Sequence, residues 1–344
     1  MNRNRLVDFI KAAAIFGVVF IHAPGGSLNL QPLFGLSVPV FVTLFACFLE
    51  LALAKRTETA QRTYLSARLV RLGIPYLFWS ILYILLFHDA LMELSKKPFA
   101  SIFNGWLGGF GWAGQYFLVV LFQLLLIFPW MRKLVTPNSL KWILGLGFCV
   151  YLGFDLFLQR FSIATSETVH GNSRRLFLFW MPDAMLGVAL ARSAVPRSWR
   201  FGGLCVCILS VSLCFCETRD LFSHRAIFKL VTQHFASIGL MIALAPWIQS
   251  PVPADSRKEQ PRTTSNWWFG GLARSVEYVG KHTFPIFLAN PLVIHFLHQR
   301  LFAGSGTATV GELQHIAITL FVMAVCLCLG AVFHRLSLAM LVGE

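Results

Sequence analysis

Asp8, Lys11 and His22 interrupt an otherwise apolar run, DFIKAAAIFGVVFIH, residues 8–22. An imidazole can take or give a proton, and an ammonium can hold an anion. On an α-helix, eleven residues overshoot three turns by only about 20°, so Lys11 and His22 share a face, about 16 Å apart along the axis. Asp8 lies one turn before Lys11, within pairing distance. A charged group at mid-bilayer costs several kcal/mol, so this stripe is expected to face protein rather than lipid. The plainer alternative is that Lys11 snorkels to the inner interface and His22 marks the outer one.

A second pair, Arg68 and Arg71, lies in ARLVRLGIPYLFW, residues 67–79. If a helix begins before Pro75, the two guanidiniums are one turn apart and can grip phosphate bidentately. Ordinary positive-inside anchoring is the competing explanation. Among intramembrane polar groups, Asp183 and Asp155 are costly in lipid and expected to face inward. Asn290, beside Pro291, either lines a cavity or satisfies backbone freed by the proline. Glu167, His170 and the stretch WLGGFGWAGQ (106–115) are further polar and aromatic candidates for binding, while His282, His295, His298 and His315 read as interfacial histidines.

These residues need elements to hold them, and composition says which. The chain has 344 residues, 56% of them hydrophobic and only 13% charged, with mean hydropathy +0.67. A soluble domain would carry roughly a quarter charged residues. The reading is an all-α, polytopic integral membrane protein with about ten transmembrane helices. They fall near 6–23, 32–54, 73–91, 115–131, 141–158, 176–192, 201–216, 235–250, 277–297 and 313–334. Lys11 breaks the first apolar run and no small-residue cleavage site precedes Pro24, so that run reads as a retained helix, not a signal peptide. Residues 1–344 read as one membrane-embedded domain, and SPVPADSRKEQPRTTSN, around 251–266, as a mobile cytoplasmic loop.

With the N-terminus cytoplasmic, nineteen of the 29 Lys and Arg fall in inner segments, nine in outer ones, and Lys11 within the first span. The positive-inside rule thus puts both termini in the cytoplasm. The net charge of +14 has the same origin, and no basic face interleaved with aromatics supports a nucleic-acid partner. The eight cysteines include three CxC pairs. Residues i and i+2 diverge on a helix, so they read as small apolar fillers and no metal is expected.

Asp8-Phe9, Lys11-X10-His22, Arg68-X-X-Arg71 followed by Pro75-Tyr76, and the late TFPIFLANPLV (283–293) together resemble the acyltransferase-3 family of integral-membrane acyltransferases. The resemblance covers nearly the whole chain in span pattern. It implies transfer of an acyl group, usually acetyl, from cytoplasmic acyl-CoA to a hydroxyl of a cell-envelope or exported carbohydrate, in a bacterial inner membrane. It makes His22 and Lys11 the catalytic pair and puts Arg68 and Arg71 on the CoA phosphates. Asp8, Asp183 and Asn290 become candidate substrate-binding residues, and acetyl-CoA the acyl donor. Two positions depart from the family pattern: Ala46-Cys47 replaces Ser-Gly in FVTLFACFL, and Asn290-Pro291 replaces His-Pro. A transporter or flippase without acyl transfer, suited by the prolines at 182, 285 and 291, is the competing class. A non-enzymatic partner in a polysaccharide pathway is the third.

Overall fold

The structure, a computed structural model, describes residues 5–24, 30–86, 112, 114–160, 175–218, 226–249, 267–301 and 311–342. The loop at 251–266, the stretch 106–111, Glu167, His170 and the side chain of Asp155 fall outside the described residues. Twelve α-helices are described: α1 (Arg5–His22), α2 (Gln31–Phe34), α3 (Ser37–Leu53), α4 (Glu58–Leu86), α5 (Gln115–Leu134), α6 (Leu140–Arg160), α7 (Phe177–Ala191), α8 (Arg200–Thr218), α9 (Ala226–Ile248), α10 (Trp267–Lys281), α11 (Thr283–Leu301) and α12 (Glu312–Arg335). Short 3₁₀ turns cover Arg197–Trp199 and Ala339–Val342, and no strand occurs among the described residues.

Among the described residues, five segments are long and apolar enough to cross a membrane: Glu58–Leu86, Gln115–Leu134, Arg197–Cys216, Val231–Ile248 and Glu312–Arg335. Ser37–Leu53, Leu140–Gly153 and Phe177–Ala191 are shorter apolar helices. The helix over 200–218, expected as a short span, runs a full nineteen residues.

Two expected spans are broken, and in both a proline supplies the reason. The run 32–54 divides into α2 and α3, because Pro39 has no N–H for the Gly35 carbonyl. The run 277–297 divides at His282 into α10 and α11, because Pro285 cannot bond the Lys281 carbonyl. In α4 the difference is the reverse. The helix starts at Glu58, fifteen residues before the expected span, and runs through Pro75. Its first half is mostly exposed and carries the basic residues.

Helix α1 is a hub that packs on α3, α10, α11 and α12, while α3 packs on α5, α7 and α9. Small residues set the closest crossings, as expected where lipid gives no hydrophobic drive to associate helices. A Cβ on Gly187 of α7 would strike the Thr43 carbonyl of α3, and one on Gly239 of α9 would meet Cys207 N and Gly203 O of α8 at 2.6 Å. Cys207 is part of that crossing, one of the CxC residues used as a small filler.

Pro291 weakens α11 in mid-helix, and two side chains repair it. Asn290 Nδ2 donates to the Phe287 carbonyl at 2.7 Å, the acceptor that Pro291 cannot serve. The buried Tyr83 hydroxyl donates to Leu288 O at 2.6 Å and accepts from Leu292 N at 3.2 Å, bridging the opened turn. Tyr83→Phe is therefore expected to destabilise the protein by about 1–2 kcal/mol. A thermal-unfolding series in detergent reads this as a lowered midpoint, and an unmoved midpoint would refute the bridge.

Candidate active site

A cavity of about 260 Å³ opens between α1, α3, α4, α5 and α11. Tyr64, Arg68, Arg71 and Leu72 line it from one stripe of α4, at i, i+4, i+7 and i+8. Lys11 lines it from α1 and Thr283 from the start of α11. The other walls include Phe41, Leu44 and Phe45 of α3, with Phe117 and Leu121 of α5. The Lys11 ammonium lies 6.0 Å from the Phe48 ring. Arg68 Nε donates to the Tyr64 hydroxyl at 3.0 Å, and the Arg56 guanidinium lies 4.2 Å from the same ring. Lys11, Arg68 and Arg71 thus share one cavity with aromatic and aliphatic walls. That lining suits a ligand that carries both phosphates and an apolar arm.

The first half of α4 is anchored by a buried ionic cluster. Glu50 of α3 is 2% exposed and receives a bidentate grip from Arg132 of α5, at 2.8 and 3.0 Å. Arg192, just past α7, donates to the same carboxylate at 2.9 Å and to Val135 O at 2.7 Å. Arg132 also donates to Gln61 Oε1 at 3.0 Å. Gln61 Nε2 in turn bonds the carbonyls of Leu53 and Arg56. The cluster joins α3, α5 and α7 to the first turn of α4, one helical turn before Tyr64.

Along α1 the three ionisable residues have different surroundings. Asp8 is buried where α10 crosses, close enough that a Cβ on Gly280 would strike its carbonyl. Lys11 is half-buried at the cavity, and His22 is exposed at the far end of the helix, outside the cavity lining. Near that end Phe20 O has lost its helical partner, because residue 24 is a proline. His315 of α12, 1% exposed, supplies the missing donor from Nε2 at 2.9 Å. A carbonyl only accepts, so this fixes the protonated nitrogen. His315 is therefore a buried cap on α1 rather than an interfacial histidine.

A separate cluster lies in the core. Asp183 Oδ2 of α7 meets His234 Nδ1 of α9 at 2.6 Å, and both side chains are fully buried. The Tyr151 hydroxyl of α6 donates to Phe179 O at 2.6 Å and lies 3.2 Å from the same imidazole nitrogen. Asp183 Oδ1 and His234 Nε2 have no hydrogen-bond partner among the described residues. The rings of Tyr151, Phe179 and Trp180 surround His234 at 4.8–4.9 Å.

Residues 4–335 match the family profile described as an acyltransferase domain, acyltransferase-3. The chain belongs to the acyltransferase-3 family. No curated protein and no solved structure matches it. Membership makes it an acyltransferase of a membrane-helical kind.

The two departures from the acyltransferase-3 pattern now have structural settings. At Ala46-Cys47, close packing of α3 is kept from the other side. A Cβ on Gly187 would lie 2.9 Å from Ala46 Cβ and 3.0 Å from Cys47 N. At Asn290, the amide is engaged by α11's own carbonyls, Ile286 and Phe287.

Sequence reasoning did not single out Glu50, Arg132, Arg192, Tyr64, Tyr151 or His234. His234 fell just before the expected span at 235–250, whereas α9 begins at Ala226 and places it inside the bundle. The readable signal was Asp183 itself, since an intramembrane carboxylate calls for a named partner.

Proposed function

We propose that this acyltransferase moves an acyl group, acetyl on the family resemblance, from cytoplasmic acyl-CoA to a hydroxyl of a cell-envelope or exported carbohydrate. The observation carrying the donor half is the cavity lined jointly by Lys11, Arg68 and Arg71 and by aromatic side chains. CoA carries phosphates and a thioester on a slender arm, and the cavity lining offers both cations and apolar walls. The carbohydrate acceptor and the bacterial inner membrane rest on the resemblance. The ten-span arrangement, with both termini cytoplasmic, rests on the apolar runs and the distribution of Lys and Arg.

In this mechanism Arg68 and Arg71 hold the phosphates, and Lys11, lining the same cavity from α1, adds a third positive charge toward the donor. His22 takes the proton of the acceptor hydroxyl as its oxygen attacks the thioester carbonyl. The new C–O bond forms, the C–S bond breaks, and the CoA thiolate leaves and is protonated. A covalent acyl-His22 intermediate is the two-step variant. The direct route needs fewer steps and is the one adopted here. Asp183, held by His234, supports the core, and Asp8 sits at the α1–α10 crossing.

The test supplies membranes with acetyl-CoA labelled in the acyl group and follows label into envelope glycans. Arg68→Ala and Arg71→Ala are each expected to raise donor KM about tenfold, the effect of one charge-assisted contact near water. Unchanged donor KM in the double variant would overturn the cavity as donor site. Absence of label with folded wild-type protein would favour the transporter reading.

A further inference from the structure

Helix α9 packs against both α6 and α8, and the space between those two outer helices is an open groove of about 710 Å³. Its floor is Val231, Ile238 and Gly239 of α9, and its walls include Phe148 and Leu152 of α6 and Leu209 of α8. Along α8 it runs from Gly202 to Leu213, about 17 Å at 1.5 Å per residue. That exceeds the depth of one leaflet's hydrocarbon, about 15 Å. The groove exists because glycines lie where α8 meets α9. Gly203 permits the crossing, and Gly202 faces space in which a Cβ would meet nothing within 4 Å.

Three cations neighbour lining residues of the groove in the chain. Lys141 lies one turn before Leu144 of the α6 wall, and Arg197 and Arg200 flank Ser198 and Trp199, just before and at the start of α8. All three are exposed, and none forms an ion pair with a carboxylate among the described residues. The Arg200 guanidinium lies 4.0 Å from the Trp247 ring, the arrangement of an interfacial anchor. This is the end of the bundle that carries Arg192, a few residues upstream.

We infer that the groove holds one acyl chain of a phospholipid with an anionic headgroup, whose phosphate rests on Arg197 and Arg200. The match is of charge and of length together: cations beside one end, and a channel lined mainly by apolar side chains, with Ser210 and Thr232 among them. The inference is independent of the acyl-transfer reading.

Native mass spectrometry of the full-length protein, delipidated and then titrated with phosphatidylglycerol or phosphatidylcholine of identical chains, tests it. Wild type is expected to retain one phosphatidylglycerol in preference to phosphatidylcholine. Arg197→Glu with Arg200→Glu is expected to lower that preference roughly fivefold per charge. Gly202→Phe, which fills the groove, is expected to lose the retained lipid, while Gly271→Leu, at an open position on α10, keeps it. The arginine variants alter only exposed side chains, so they decide the matter even if Gly202→Phe fails to fold. Equal retention of the two lipids, or a preference unmoved by the arginine variants, would overturn the proposal. Displacement of phosphatidylglycerol by a polyisoprenyl phosphate at lower concentration would overturn the choice of a phospholipid as occupant.

Discussion

Glu50→Ala is expected to destabilise the protein by about 3 kcal/mol, because breaking a buried ion pair leaves its partners uncompensated. Arg132 and Arg192 share this carboxylate, with side chains 16% and 34% exposed. Without it the two guanidiniums face each other across the ends of α3, α5 and α7, and only water entry relieves them. Glu50→Gln keeps the shape and an acceptor oxygen but removes the charge, and is expected to fall between. Fluorescence-detected size-exclusion after a heating series gives the midpoints. A Glu50→Ala midpoint equal to wild type would refute the cluster as a structural clamp. Gln61→Ala separates the clamp's two duties. It cuts only the link from Arg132 to α4 and that helix's tie to Leu53 O and Arg56 O. Its expected signature is a raised donor KM with a smaller loss of stability, because α4 carries Tyr64, Arg68 and Arg71 to the cavity.

That clamp marks the limit of what the sequence could reveal. Apolar runs locate helices because burial in lipid demands them, and α1, α5, α6, α7, α8 and α12 lie where the runs predict. Hydropathy does not register where a helix is interrupted. The breaks before α3 and before α11 follow from Pro39 and Pro285 lacking an N–H, a local signal masked by long hydrophobic windows. The start of α4 was hidden for the opposite reason: ETAQRTYLSARLV is polar enough to read as loop, yet it is a helix laid along the basic end. Tyr64 joins the stripe of Arg68 and Arg71 because that helix extends back to Glu58.

Site residues divide in the same manner. Lys11 and the arginine pair were recognisable because their spacing is local to one helix each. Their convergence on one cavity depends on the α1–α3–α11 packing, which no single segment encodes. Glu50 looks like an ordinary terminal charge of its span, and its partners are 82 and 142 residues away. Asp183 and His234 are 51 residues apart on helices whose contact is likewise a property of the bundle.

His22→Ala is expected to lower kcat for acyl transfer by about 10²–10⁴-fold, the usual contribution of a positioned general base. Donor KM should stay close to wild type, because the cavity lining does not include His22. Lys11→Ala should do the converse, raising donor KM about tenfold with a smaller effect on kcat, since its ammonium lies at the cavity. About 16 Å of helix separates the two residues, so their effects should multiply rather than mask one another. His315 provides the control for position. It bonds the Phe20 carbonyl, two residues before His22. His315→Ala orphans that carbonyl, whereas His315→Gln can still offer a side-chain N–H. A positioning role predicts reduced kcat in His315→Ala and substantial recovery in His315→Gln, at equal amounts of folded protein. If His22→Ala keeps its kcat while the His315 variants lose theirs, the proton acceptor is not His22, and the far end of α1 is a scaffold for chemistry carried elsewhere.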